Sequence, residues 1–216
     1  MKLLTTILVI LLFFGCTESE SPTTDLENEG VKIGNHLWMK KNLDVKTFRN
    51  GDLIIEAKSN QEWLKSYQDK TPAWSYYENL SGNGNQYGIL YNYYAIIDNR
   101  GLAPTGWRIP SANDWQNLVD ALGGFTGLPD KLKSVKLWKN GGGSNSSGFN
   151  AFPAGARYQT GFLGLGEVTT FWTNSLEPEG NPEIADINGI ENPHQFFISN
   201  TELSLVPGFS VRCISE

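Results

Sequence analysis

The sequence predicts an α+β domain, and three stretches predict it. "SANDWQNLVDALGG" reads as an amphipathic helix with a defined start and stop. From Phe149 onward the chain is aromatic and glycine-rich and falls into short extended runs. The last of these, "GFSVRCISE", alternates, with Phe209, Val211 and Cys213 on one face and Ser210 and Arg212 on the other. The order is a strand, two helices, then a string of short strands and long loops.

The N-terminus of the 216-residue chain opens with Lys2 and an apolar run, Leu3 to Phe14. The run has signal-peptide length and is too short for an ordinary membrane span. It ends in Phe13-Phe14-Gly15-Cys16, which resembles a bacterial lipobox, with Phe13 in place of the usual Leu. Residues 1–15 are therefore expected to be removed and Cys16 lipidated, anchoring the chain to the outer membrane. "TESESPTTDLENEG" follows, with Glu18, Glu20, Asp25, Glu27 and Glu29 and no base. Like charge and low hydrophobicity make residues 16–30 a solvated tether. An acidic run at this place also resembles the surface-export signals of some bacterial lipoproteins. A charged linker with no further role fits equally.

The domain proper is expected over residues 31–216. Val31 and Ile33 begin an edge strand, and Asn50-Gly51 marks a turn. Ser59 or Asn60 caps a short helix carrying Trp63, Leu64 and Tyr67, which ends before Pro72. "PAWSYYEN" and "YGILYNYYAIID" read either as strands or as a turn leading into a helix. Pro110 ends the extended run Trp107 to Ile109. Ser111 then caps the main helix, and Asp114 completes a capping box. Trp115, Leu118, Val119 and Leu122 form its buried stripe, and Gly123-Gly124 stops it. Pro129 opens a further helix in "LPDKLKSVKLW", with Leu128, Leu132 and Val135 on one face. "KNGGGSNSSG" reads as a flexible loop. Trp107, Trp115, Leu118, Leu122, Trp172 and Cys213 are the expected structural core.

Composition narrows the function. The net charge is −6, with no Lys/Arg cluster, so no nucleic-acid partner is expected. The two cysteines leave only Cys213 once Cys16 carries lipid, so no internal disulfide forms. The two histidines, His36 and His194, stand in unrelated contexts, and no metal or cofactor site is expected. No phosphate loop, dinucleotide fingerprint or nucleophile elbow occurs. The chain has 7 Trp, 8 Tyr and 11 Phe among many Asn, Ser and Gly residues. Aromatic plates beside amides suit sugar rings, and Trp74, Tyr76 and Tyr77 lie in a polar stretch, which makes them the candidate ligand-binding residues.

Several segments, taken in order, carry a resemblance. They are "IGNHLWMKKNLDVKTFRNGDLI", "YGILYNYYA", "LAPTGWRIPSANDWQNL", "LKSVKLW", "SSGFNAFPAGARYQTGFLGLGEVTTFWTNS" and "GFSVRCI". Together they resemble the Fibrobacter succinogenes major paralogous domain, found in many secreted bacterial proteins and lipoproteins. The resemblance spans Val31 to Ile214. It implies a C-type-lectin-like fold near the formylglycine-generating-enzyme branch: two short helices, a small antiparallel sheet, paired terminal strands and long loops. Arg108 stands where the family motif has His. A lone Cys213 does not provide the paired cysteines that hold copper in that branch. Glu177-Pro178-Glu179 without a Trp-Asn-Asp segment does not provide the calcium site of sugar-binding relatives.

The expectation drawn from these residues is a non-catalytic envelope lipoprotein, reaching the membrane through Cys16 and binding a glycan or an envelope protein. The alternatives are a carboxylate-based hydrolase or modifying enzyme of the same fold, and a purely structural envelope component.

Overall fold

A computed structural model describes residues 28–190 and 195–216. Cys16, the leader, the tether up to residue 27 and His194 lie outside the described residues. Two sheets organise the chain. The smaller holds β1 (Gly30–Ile33), β2 (His36–Met39), β6 (Trp107–Arg108) and β13 (Ile214–Ser215), in the order β1-β2-β13-β6. The last strand thus lies between strands from the beginning and middle of the chain, with Ile214 opposite both Trp38 and Arg108.

The larger sheet runs β11-β10-β9-β7-β12-β5-β4-β3, and β8 pairs with β7. Its strands are β3 (Ile55–Glu56), β4 (Ala73–Ser75), β5 (Leu90–Asn92), β7 (Ala154–Tyr158), β8 (Gly161–Leu165), β9 (Val168–Leu176), β10 (Pro182–Asn188), β11 (Gln195–Asn200) and β12 (Gly208–Phe209). It is nine-stranded and mixed, with β3–β4 and β7–β9 parallel. The expected small antiparallel sheet is the four-stranded one, and the long mixed sheet beside it was not expected. The short aromatic runs did not reveal that they join across the chain into one long sheet.

The described residues also hold five α-helices rather than two: α1 (Asn60–Gln68), α2 (Ser81–Tyr87), α3 (Tyr93–Ile96), α4 (Ala112–Ala121) and α5 (Leu128–Leu132). None is long and apolar enough to cross a membrane. Ser59 caps α1 by accepting from Glu62 N, and Asn92 caps α3 by accepting from Ala95 N. α5 stops at Leu132, because Lys133 turns extended and is drawn into the interior, which leaves Val135 63% exposed. The glycine-rich loop after Trp138 is tied down rather than loose. Ser144 N donates to Asp130 Oδ1 (3.1 Å), Ser147 Oγ to Lys131 O (2.7 Å) and Asn150 N to Asn145 Oδ1 (2.7 Å).

Two main cores flank the terminal segment. One gathers Trp74, Tyr91, Trp107, Trp172, Phe209, Val211 and Cys213. The other gathers Trp38, Trp115, Leu118, Leu132, Phe149, Phe171 and Ile214, with Leu122 only partly buried at its edge as the cap of α4. A smaller cluster joins Trp63 and Tyr67 to Val206. Residues 208–215 run between the two main cores, so the expected polar face of this run, Ser210 and Arg212, is as buried as the apolar one. Burial pushes the Cys213 thiol up to about 12, which leaves it protonated at neutral pH.

The helix-starting residues carry a measurable charge effect. Asp114 closes the predicted capping box and also takes two bonds from Arg108, at 2.6 and 2.9 Å. Burial opposes its charge, but the bonds from Arg108 and Ser111 outweigh burial and hold the carboxyl well below the usual carboxylate range. A depressed folded-state pKa adds stability above the unfolded-state value of about 4, lost as pH falls toward the folded-state value. The stability gap between wild type and Asp114→Asn should therefore be wide at pH 7 and narrower at pH 2. Urea midpoints at the two pH values measure it, and an unchanged gap would contradict the assignment.

Candidate functional site

A polar cleft opens on the described surface, and a short strap builds one side of it. β2 ends at Met39, whose N–H donates to Cys213 O at 3.0 Å. The chain continues as Lys40–Val45 across the edge of the core. Asn42 points inward and is 6% exposed. Its amide donates to Tyr87 O (2.9 Å) and Ser210 Oγ (3.3 Å), while its Oδ1 accepts from Arg212 Nη2 at 2.6 Å. Leu43 N donates to Val211 O (2.8 Å), and Leu43 O accepts from Ile89 N (3.3 Å). With Asn42 and Leu43 pinned inward, Lys41 and Asp44 stand in solvent.

The facing wall is α2 and the turn after it, "SGNGNQYG". A side chain at Gly84 would strike the Tyr76 ring, so the helix can lie against that ring only with glycine there. Gly88 has φ +79°, and a Cβ would come 2.8 Å from Asn42 Cβ. These two close approaches set Asn85 and Gln86 on the outer side, opposite Lys41 and Asp44. Half-buried Phe152 adds an apolar surface. The half-open space between these walls is about 680 Å3. A second cavity of about 370 Å3 lies across the strap, lined by Asn28, Glu29, Lys40 and Pro104, and it shares Lys41, Asn42 and Asp44 with the first. Both volumes fall in the range of about 300–1,000 Å3 usual for small-molecule sites.

The expected aromatic platform is corrected. Trp74 is 3% exposed, with its indole N–H donating to Ile54 O at 3.0 Å, because β4 sits inside the large sheet and is covered on both sides. Tyr77 is 6% exposed, turned by a short 3-10 segment to face Phe162 at 5.1 Å. Burial raises its phenol pKa. Tyr76 is half-buried, edge-on to Trp74 at 5.1 Å and backed by Gly84. Lys46 lies over both rings, 5.3 Å from Trp74 and 5.4 Å from Tyr76, and its hydrogen bond with Tyr76 raises its pKa. These rings support the cleft from behind and offer no open stacking face.

The other expected residues are placed in the cores: Trp107, Trp115, Leu118, Trp172 and Cys213 are each at most 1% exposed, and Leu122 is partly buried. The cleft residues Lys41, Asp44, Asn85, Gln86 and Phe152 were not anticipated. Their one signal was the run of glycines and amides from Ser81 to Gly88 between two aromatic strands. Among the described residues no three His, Cys, Asp or Glu side chains come together as a metal site would require. The larger cavity carries a single carboxylate, Asp44.

No curated protein and no solved structure matches the chain. A family model does match, the Fibrobacter succinogenes major domain, over residues 31–215. Covering nearly all of the described residues, that match places the chain in the Fibrobacter succinogenes major domain family.

Proposed function

We propose that this chain is a non-catalytic saccharide-binding domain of C-type-lectin-like fold, held at the outer membrane by lipid on Cys16. The observation that carries the binding reading is the cleft between the strap and α2. Asn85 and Gln86 offer both donors and acceptors, Lys41 and Asp44 make charge-assisted bonds, and Phe152 offers an apolar surface, a combination that suits sugar hydroxyls and ring CH groups. The fold reading is supported by the terminal strands meeting in one small sheet while long connections build the cleft. Paired-carboxylate hydrolysis is the competing reading, since Glu29 and Asp44 both line the smaller cavity while the larger one carries Asp44 alone. Binding is expected not to need calcium, because Glu177-Pro178-Glu179 stands without the Trp-Asn-Asp segment of calcium-dependent sugar binders.

The test is a screen of the full-length chain against envelope and plant polysaccharides, with and without EDTA. Binding should appear and be insensitive to EDTA. Asp44→Ala should weaken it by about tenfold or more, the loss of one charge-assisted hydrogen bond. Absence of binding by a folded chain, or turnover of a glycoside, would overturn the reading.

The anchor has its own check. Metabolic palmitate labelling should mark the wild-type chain and not Cys16→Ala, and equal label on both would remove the lipid from this account.

A further inference from the structure

We infer that the ligand is an extended, uncharged saccharide chain gripped along its interior, crossing the strap so that neighbouring sugar units fill both cavities. The inference rests on the saccharide-binding reading and adds to it the length and charge of the ligand. Four observations support it. The cavities of about 680 and 370 Å3 share Lys41, Asn42 and Asp44, so they are two ends of one groove interrupted by the strap. The strap is fixed from beneath. Asn42 is held by Tyr87 O, Ser210 and Arg212, and Leu43 by Val211 and Ile89, so a ligand occupying both ends must pass over the outside.

The outside of the strap is the third observation. Lys41 and Asp44 are exposed there, and neither forms an ion pair among the described residues. A donor-only ammonium beside an acceptor-only carboxylate matches a hydroxyl, which is both acceptor and donor. A single sugar in either cavity would leave this ridge unused. Charge balance is the fourth. Lys40 and Lys41 are offset by Glu29 and Asp44 along the groove, so a charged polymer gains no net attraction. The larger cavity, with its amides and Phe152, holds the first units, and the smaller one, beside Lys40, is reached only by a longer chain.

The probes are ladders of cello-, manno- and xylo-oligosaccharides from one to eight units, with hexagalacturonate as the charged comparison. Binding to the full-length chain is followed by calorimetry. In at least one ladder the affinity should rise tenfold or more between two and five units and then level off. Lys40→Ala should weaken the five-unit ligand at least threefold and leave the two-unit ligand unchanged. Asn85→Ala should weaken both. Tryptophan fluorescence of each variant confirms the native core. A one- or two-unit sugar binding as tightly as six units would overturn the inference and leave the saccharide reading in place. So would Lys40→Ala acting equally on all lengths, or hexagalacturonate outbinding every neutral ladder. If no ladder and no polysaccharide from the wider screen binds the folded chain, the saccharide reading falls and this inference falls with it.

Discussion

Trp115→Ala should cost about 3–5 kcal/mol, the range for deleting a large buried aromatic. Its ring is the hub of the second core: 4.7 Å from Trp38, 5.7 Å from Phe149, 5.3 Å from a stacked Phe171 and 6.0 Å from Phe196. These rings come from β2, the loop before β7, β9 and β11, so the cavity left by alanine borders four parts of the fold at once. The Trp115 Nε1–H is buried with no hydrogen-bond partner. Trp115→Phe therefore loses ring volume but also removes an unsatisfied donor, and it should be much milder than alanine. Asn117→Ala, on the exposed face of the same helix, should cost well under about 1 kcal/mol. Urea melts rank the three variants. Equal midpoints for Trp115→Ala and Asn117→Ala would show that this core does not support the fold.

Arg212→Met should be comparably damaging, at about 3–5 kcal/mol, for a different reason. Arg212 is fully buried and paired with no carboxylate among the described residues. Its charge is spread over acceptors instead: Met39 O at 2.9 Å, Phe149 O, Asn150 O and both approaches to Asn42 Oδ1. The guanidinium also lies over the Phe149 ring at 4.4 Å. Burial pushes its pKa down, yet at neutral pH it keeps its proton. Methionine fills part of the volume and leaves these acceptors dry, each costing about 1–3 kcal/mol if unsatisfied. Lysine keeps the charge but cannot span the same set, so Arg212→Lys should rescue little. Because Asn42 is among the acceptors, the folded fraction of either variant should also bind saccharide more weakly. Lys65→Ala, which breaks only the exposed pair with Asp69, should cost less than about 1 kcal/mol. A midpoint for Arg212→Met matching that of Lys65→Ala would refute the lock.

What was legible in the sequence was local. Ser111 with Asp114, Ser59 before α1 and Pro129 at the start of α5 act through hydrogen bonds and φ restrictions a few residues long, so the chain displays them directly. Strand partnership is not local. β4 looked exposed because Ser and Glu surround Trp74 and Tyr77, but burial there comes from β3, β5 and β8 covering the segment. Arg212 followed the alternation of a one-sided strand, which assigns it to solvent, and a second core occupies that side. The cleft was hardest to see because its sides come from residues 40–45, 81–88 and 152, none of them part of a recognised motif. Aromatic richness proved to mark the core, and a run of glycines and amides marked the cleft.

The position of β13 has a consequence for how the chain acquires its fold. Ile214 pairs with Trp38, and residues 209–214 supply both main cores, so neither core is complete until that segment is in place. Contacts that close so long a loop are characteristic of slow folding, in the range of milliseconds to seconds. Residues 30–39 therefore hold their place in the sheet only once the distant segment 209–214 has joined them. Deleting residues 209–214 should accordingly cost far more stability than deleting an edge segment, because it empties a wall of both cores at once.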